Sequence, residues 1–127
     1  MELDQYVKMK EVEKTHWWFC GRRKIVRDLI LKYSYKSEKI LEVGSGTGGN
    51  LQMLAKIGNV KSFEMNNKAL ELSKQNLNKK IIVKYGSCPD EIPYLNEKFD
   101  IICLLDVLEH IEDHKTTLNI LKKMMSR

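Results

Sequence analysis

A chain of 127 residues with 43% hydrophobic and 31% charged residues has the composition of one globular domain with a real core, which excludes a disordered tail or a fibrous repeat. No apolar run approaches the ~20 residues of a membrane-spanning helix, and the acidic, polar start Met1-Glu2-Leu3-Asp4 does not read as a secretory signal. The expected location is cytoplasmic, with no membrane partner. The net charge of +5, from 22 Lys and Arg against 17 Asp and Glu, is scattered without an aromatic-and-basic stripe; it reads as a solvated surface, and no nucleic-acid partner is expected.

Two early segments read as helices. The second, from about Gly21 to Tyr33, places Ile25, Val26, Leu29, Ile30 and Tyr33 on one stripe and follows a dense aromatic cluster, His16-Trp17-Trp18-Phe19. The pattern then changes to short apolar strands alternating with amphipathic helices. Lys39 to Val43 is a strand that ends in a glycine-rich turn, Gly44 to Gly49, and a helix through Leu51, Leu54, Ala55 and Ile57 stops at Gly58. Val60 to Glu64 is the second strand. The helix after it, Asn67 to Leu77, carries Leu70, Leu72 and Leu77. Ile81 to Tyr85 is the third strand. A polar loop with Pro89 and Pro93 leads to the fourth, Phe99 to Leu105, which is nearly all apolar, as a central parallel strand should be. The last helix takes Asp113 as N-cap and shows Leu118, Leu121 and Met125 at helical spacing. Such alternation implies βαβ units and a parallel α/β sheet covered on both faces.

The cysteines Cys20, Cys88 and Cys103 are odd in number and far apart, so neither a CxxC metal or redox site nor a disulfide framework is expected. Cys103 lies inside an apolar run and reads as a small buried hydrophobe.

The segment that carries function is Ile40-Leu41-Glu42-Val43-Gly44-Ser45-Gly46-Thr47-Gly48-Gly49. Alternate glycines permit positive φ and let a ligand approach without a Cβ in the way. The helix start beyond them supplies N–H donors to a polar or anionic group. Glu64, 20 residues after Gly44 at the end of the next strand, can accept from both hydroxyls of a ribose. These residues point to an adenosine-type cofactor. They do not choose among such cofactors, because Gly44-x-Gly46-x-x-Gly49 also satisfies the dinucleotide fingerprint.

A resemblance makes the choice. Glu42-x-Gly44-x-Gly46-x-Gly48 is similar to motif I of the class I, Rossmann-like, S-adenosylmethionine-dependent methyltransferases, in which an acid precedes the alternating glycines. Phe99 to Ile111 resembles the strand-four signature of that family, and His16-Trp17-Trp18-Phe19-x-Gly21-Arg22-Arg23 resembles the N-terminal segment of a bacterial branch. The resemblance implies S-adenosylmethionine as cofactor and S-adenosylhomocysteine as product. It implies that Gly44, Ser45, Gly46 and Gly48 pass the methionine moiety, with Glu42 beneath reaching its amino group. It implies that Glu64 holds the ribose and Met65 packs on adenine. Ser87 takes a position where many relatives carry Asp, with Asp90 as a substitute from the same loop. Leu105 and Asp106 close the site after strand four.

Methyl transfer is an in-line displacement in which the cofactor brings the electrophile, so the protein chiefly aligns the acceptor and excludes water. No catalytic residue is assigned. His110 is the best-placed base, with a structural role near a helix start equally open. Asp106, His110 and His114 would align only on one continuous helix, which a break near Glu112-Asp113 opposes, so no metal is expected. The aromatic cluster reads either as a lid, with Arg22 or Arg23 near the cofactor carboxylate, or as an anchor to the sheet.

The expected fold is a Rossmann-like α/β sheet, strand order 3-2-1-4, truncated relative to the family's full domain and preceded by N-terminal helices. It forms a single, incomplete domain over 1–127, with a helical lid segment over 1–36 and a cofactor-binding core over 37–127. Truncation leaves strand four as an exposed edge open to self-association or to coverage by a terminal helix. The expected activity is methyl transfer to a small-molecule acceptor. A non-catalytic cofactor-binding or interaction module, and an NAD-binding fragment, are the competing readings.

Overall fold

The computed structural model describes residues 2–34, 39–75 and 77–126. The elements in chain order are α1 (Leu3–Val12), α2 (Trp17–Tyr33), β1 (Lys39–Val43), α3 (Leu51–Ala55), β2 (Asn59–Glu64), α4 (Asn67–Ser73), β3 (Ile82–Tyr85), β4 (Ile101–Cys103), a short 3-10 helix at Leu108–His110, and α5 (His114–Lys123). The four strands form one parallel sheet in the order β3-β2-β1-β4, the expected Rossmann-like arrangement. The boundary expected between residues 36 and 37 lies outside the described residues.

Alternation along β1 builds two cores. Ile40 joins Leu51, Leu54, Val60 and Val83 under α3 and α4. Leu41 and Val43 join Phe63, Phe99, Leu121 and Met124 under α5 on the opposite face. Chain order reverses between β1 and β4, so a crevice opens at the carboxyl ends of these two strands. Side chains cap α4 and α5: Asn66 accepts from the Ala69 N–H at 3.0 Å and Asp113 from the Thr116 N–H at 3.1 Å.

Five expectations are corrected. The stripe of α2 faces outward: Ile25, Leu29 and Tyr33 are exposed, while Ile30 packs on the first core, because α2 meets the body of the protein only along the side that carries Arg22, Arg23, Val26 and Ile30. Helix α4 ends at Ser73 rather than Leu77; its buried side chains are the small Ala69 and Ser73, and Leu77 reaches the core from beyond the helix. β3 begins at Ile82, one residue after the buried Ile81. β4 is limited to Ile101–Cys103, because its partner β1 turns away into the glycine segment just past Glu42. On the last helix the inward positions are Thr117, Leu121 and Met124, which leaves Leu118 exposed.

The outer edge of β4 is partly occupied. Just before β4, the Phe99 N–H donates to the Met124 carbonyl at 2.7 Å and Phe99 O accepts from the Ser126 N–H at 2.9 Å, a single parallel bridge between Phe99 and Met125. Among the described residues no strand pairs with the outer edge of Ile101–Cys103.

Gly86, just past β3, is held by contact. A Cβ there would lie 2.6 Å from Pro93 Cδ, 2.9 Å from the Glu91 carbonyl and 3.0 Å from Phe63. Gly86→Ala is expected to destabilise by about 1–3 kcal/mol through overpacking, read as a lower urea midpoint with an unchanged slope.

Candidate functional site

The glycine turn leaves β1 at the mouth of the crevice, with φ of +69° at Gly44, +58° at Gly46 and +85° at Gly48. These values belong to the left-handed region that side chains avoid. The first and third glycines are also held by packing: a Cβ would sit 2.6 Å from Val107 Cγ2 at Gly44 and 3.1 Å from Ser73 Cβ at Gly48. Gly46 differs. Nothing lies within 4 Å of where its Cβ would be, so its face of the turn opens to a ligand.

Beneath the turn, Glu42 is 2% exposed. Its Oε2 accepts from Asn50 Nδ2 at 3.3 Å, while Oε1 is buried without a partner. Burial pushes the Glu42 carboxyl up to about 8, against the opposing effects of the Asn50 hydrogen bond and the Arg22 charge. Ser45 Oγ is a second buried polar atom with no partner. Two orphaned polar atoms under one turn are unusual in a folded protein and mark a place built for something else to bind.

Glu64 lies at the end of β2. Its Oε1 accepts from the Gly46 N–H and its Oε2 from the Asn66 N–H, both at 2.8 Å. The turn's amides are therefore less available than the sequence suggests. Gly44 and Ser45 donate to the Phe63 carbonyl and Gly48 to the Ser45 carbonyl, while Gly46 is spent on Glu64. A carboxylate offers about four lone-pair sites, so Glu64 keeps acceptor capacity for two hydroxyls while the amides hold it in place.

The N-terminal helices close over the turn. At the end of α1, Glu13 Oε2 accepts from Thr47 Oγ1 at 2.8 Å, and Lys10 Nζ donates to the Thr47 carbonyl at 3.2 Å. Arg23 donates to the Gly49 carbonyl at 3.4 Å. Burial raises the Tyr6 hydroxyl, and the charge of Glu64 adds to the rise. Arg22 pairs with Asp106 at 2.6 Å and stacks over Trp18 with its guanidinium 5.5 Å from the ring centre. Asp106 itself is held at φ +59°. Trp17 and Trp18 stay 77% and 45% exposed, so the aromatic cluster is no buried anchor in the sheet.

The sheet thus brings Glu42, Gly44, Ser45, Gly46, Gly48 and Glu64 to one edge. Met65 lies beside them, 66% exposed. Ser87 follows β3 at the same edge and exchanges two backbone hydrogen bonds with Glu91, with exposed Asp90 in that loop. Leu105 packs against the first core, and Asp106 reaches Arg22. Asp106, His110 and His114 do not share a helix: they fall on a bend, the short 3-10 helix and the start of α5. His110 lies out near Glu109 at 3.6 Å, its side chain 77% exposed. Burial raises the thiols of Cys88 and Cys103, the latter to about 12, which keeps both from acting as nucleophiles. Lys10, Glu13 and Tyr6 escaped the sequence reading, since nothing in local spacing distinguishes a buried acid at a helix end from a solvated one.

A parallel sheet with a strand–glycine turn–helix unit and an acid ending the next strand defines a Rossmann-like cofactor-binding protein. A family model described as a methyltransferase domain matches residues 19–126, and the chain belongs to that family, the class I S-adenosylmethionine-dependent methyltransferases. Among solved structures, a candidate S-adenosylmethionine-dependent methyltransferase of Methanococcus maripaludis superposes with a TM-score of 0.80 at 20% identity, over 98% of this chain and 59% of that one. A SAM-dependent methyltransferase of Aquifex aeolicus gives 0.74 at 18% identity, over 98% and 68%. The SAM-bound amino pentose methyltransferase CalS10 of Micromonospora echinaspora gives 0.68 at 19%, over 93% and 49%. This chain therefore spans about half to two thirds of these relatives. No curated protein matches the sequence.

The residues present fit the family's cofactor. Its ammonium suits the unpartnered Glu42 Oε1, its ribose diol suits Glu64, and the open face of Gly46 leaves room for its backbone-hugging chain.

Proposed function

We propose that this chain binds S-adenosylmethionine at the glycine turn and serves methyl transfer to a small-molecule acceptor. The observation that carries the reading is the pair of buried, partnerless atoms, Glu42 Oε1 and Ser45 Oγ, beneath Gly46, the glycine of the turn whose Cβ direction is empty. Bound there, the cofactor supplies an electrophilic sulfonium methyl. The chain's own residues bind and orient. Glu42 receives the ammonium, and Glu64 receives the ribose hydroxyls while the amides of Gly46 and Asn66 hold it. Met65 and Ser87 flank the adenine. Arg22 meets the carboxylate, exchanging part of its pairing with Asp106. Glu64, joined by Glu42 once it gives up its proton, presents carboxylate charge that suits a cofactor carrying a positive sulfur. No residue is assigned as a base.

A small-molecule acceptor is supported by relatives of this fold that act on small molecules, such as the amino pentose enzyme. Among the described residues no strand pairs with the outer side of Ile101–Cys103, and a non-catalytic cofactor-binding module that takes a strand there is the second reading.

Calorimetric titration with S-adenosylmethionine, S-adenosylhomocysteine and NAD tests the reading. Saturable binding of the first two and none of NAD is expected. Binding of NAD alone would overturn it, and binding without turnover of any acceptor would favour the module.

A further inference from the structure

The carboxylate of Glu13 is out of place by ordinary rules. It caps the C-terminal end of α1, where the helix dipole disfavours negative charge, and it is 4% exposed. Burial raises its carboxyl above the usual range, although Thr47, Lys10, Arg23 and Lys14 all act to lower it. It is held there by contact with the glycine turn. Thr47 Oγ1 donates to Oε2 at 2.8 Å across 34 residues of chain, and Lys10 Nζ spans Glu13 Oε1 at 3.8 Å and the Thr47 carbonyl at 3.2 Å. A Cβ on Gly49 would fall 2.6 Å from the same Oε2, so the turn is shaped to admit this carboxylate.

We infer that Glu13 is a positioning residue: it fastens α1 to Thr47 and Gly49, so that the cofactor turn takes its binding geometry only when the N-terminal helix is docked. The inference rests on the glycine turn being the cofactor site. The turn's inner side is fixed by Glu64 through Gly46, and Glu13 fixes its outer side. Between the two anchors, Ser45 to Gly49 has little freedom left.

The test uses Glu13→Ala, Glu13→Gln and Thr47→Val in the full chain, with two readouts. The first is hydrogen exchange of amides 45–49 in the free protein, and the second is affinity for S-adenosylhomocysteine. Glu13→Ala and Thr47→Val are each expected to speed exchange of the turn and to weaken binding about tenfold, with the double variant little worse than either single one. Glu13→Gln, which still accepts from Thr47, is expected to restore most of both. A melting temperature that falls while turn exchange and affinity hold would make Glu13 merely structural and overturn the inference. If the unaltered chain binds no S-adenosylhomocysteine, the proposed function falls, and the exchange measurement alone decides whether Glu13 orders the turn.

Discussion

Glu42→Gln is expected to make the chain more stable at alkaline pH and to cripple cofactor binding. In the fold the Glu42 carboxyl ionises near pH 8, against an ordinary value of 4.5. A raised pKa means that the folded state holds a proton the unfolded chain gives up. Stability from this group is therefore complete below about pH 4.5, falls as pH rises, and is lost by about pH 8. Gln carries no such proton and escapes the loss. Urea denaturation should show the variant gaining up to roughly 5 kcal/mol relative to wild type on going from acid to mildly alkaline buffer, about 1.4 kcal/mol for each pH unit between the two pKa values. Binding moves the other way. Losing a charged acceptor for the ammonium is expected to weaken S-adenosylhomocysteine by roughly 10- to 100-fold. Wild-type affinity should rise with pH up to about 8, and this slope should vanish in the variant. Equal pH dependence in both proteins would show that Glu42 is not the group being titrated.

Glu64→Ala is the second large effect. The substitution removes the acceptor of both the Gly46 and Asn66 amides, and with it the ribose contact of the proposed complex. Two charge-assisted hydrogen bonds lost within the free protein are expected to cost about 2–4 kcal/mol of stability. Affinity for S-adenosylhomocysteine should fall by about 100-fold or more, since the hydroxyl contacts go with the turn's inner anchor. Glu64→Gln keeps one acceptor oxygen and should fall between. Titration of the three proteins, with exchange of the Gly46 amide followed in parallel, checks both parts. Wild-type affinity in Glu64→Ala would remove Glu64 from the site.

The fold was legible where a local pattern and a global need coincide. The runs at Ile40, Val60, Val83 and Ile101 alternate with helices, and right-handed connections leave few ways to order such strands. Asp113 and Asn66 announce helix starts through their own caps. The glycines were legible because three positive φ angles in five residues require them. What escaped is non-local. The outward turn of Ile25, Leu29 and Tyr33 depends on which neighbours α2 meets, and periodicity alone cannot state that. Helix α4 ends at Ser73, whose Cβ lies 3.1 Å from where a Gly48 side chain would start, a contact across 25 residues that periodicity cannot state. Glu13 and Lys10 look like any solvated pair one helical turn apart, and only the docking of α1 on Thr47 gives them a role. The hold of Glu64 on the Gly46 amide is likewise a contact across 18 residues that local spacing does not announce.

The most direct test of the cofactor site is a heteronuclear shift titration of the isotope-labelled chain with S-adenosylhomocysteine. Saturable shifts concentrated at Gly44 to Gly48, at Glu64 and Met65, and on the face of α1 around Tyr6 and Lys10 are the predicted result. Saturation with shifts elsewhere, or no shift in a folded chain, would contradict the assignment of this turn as the site.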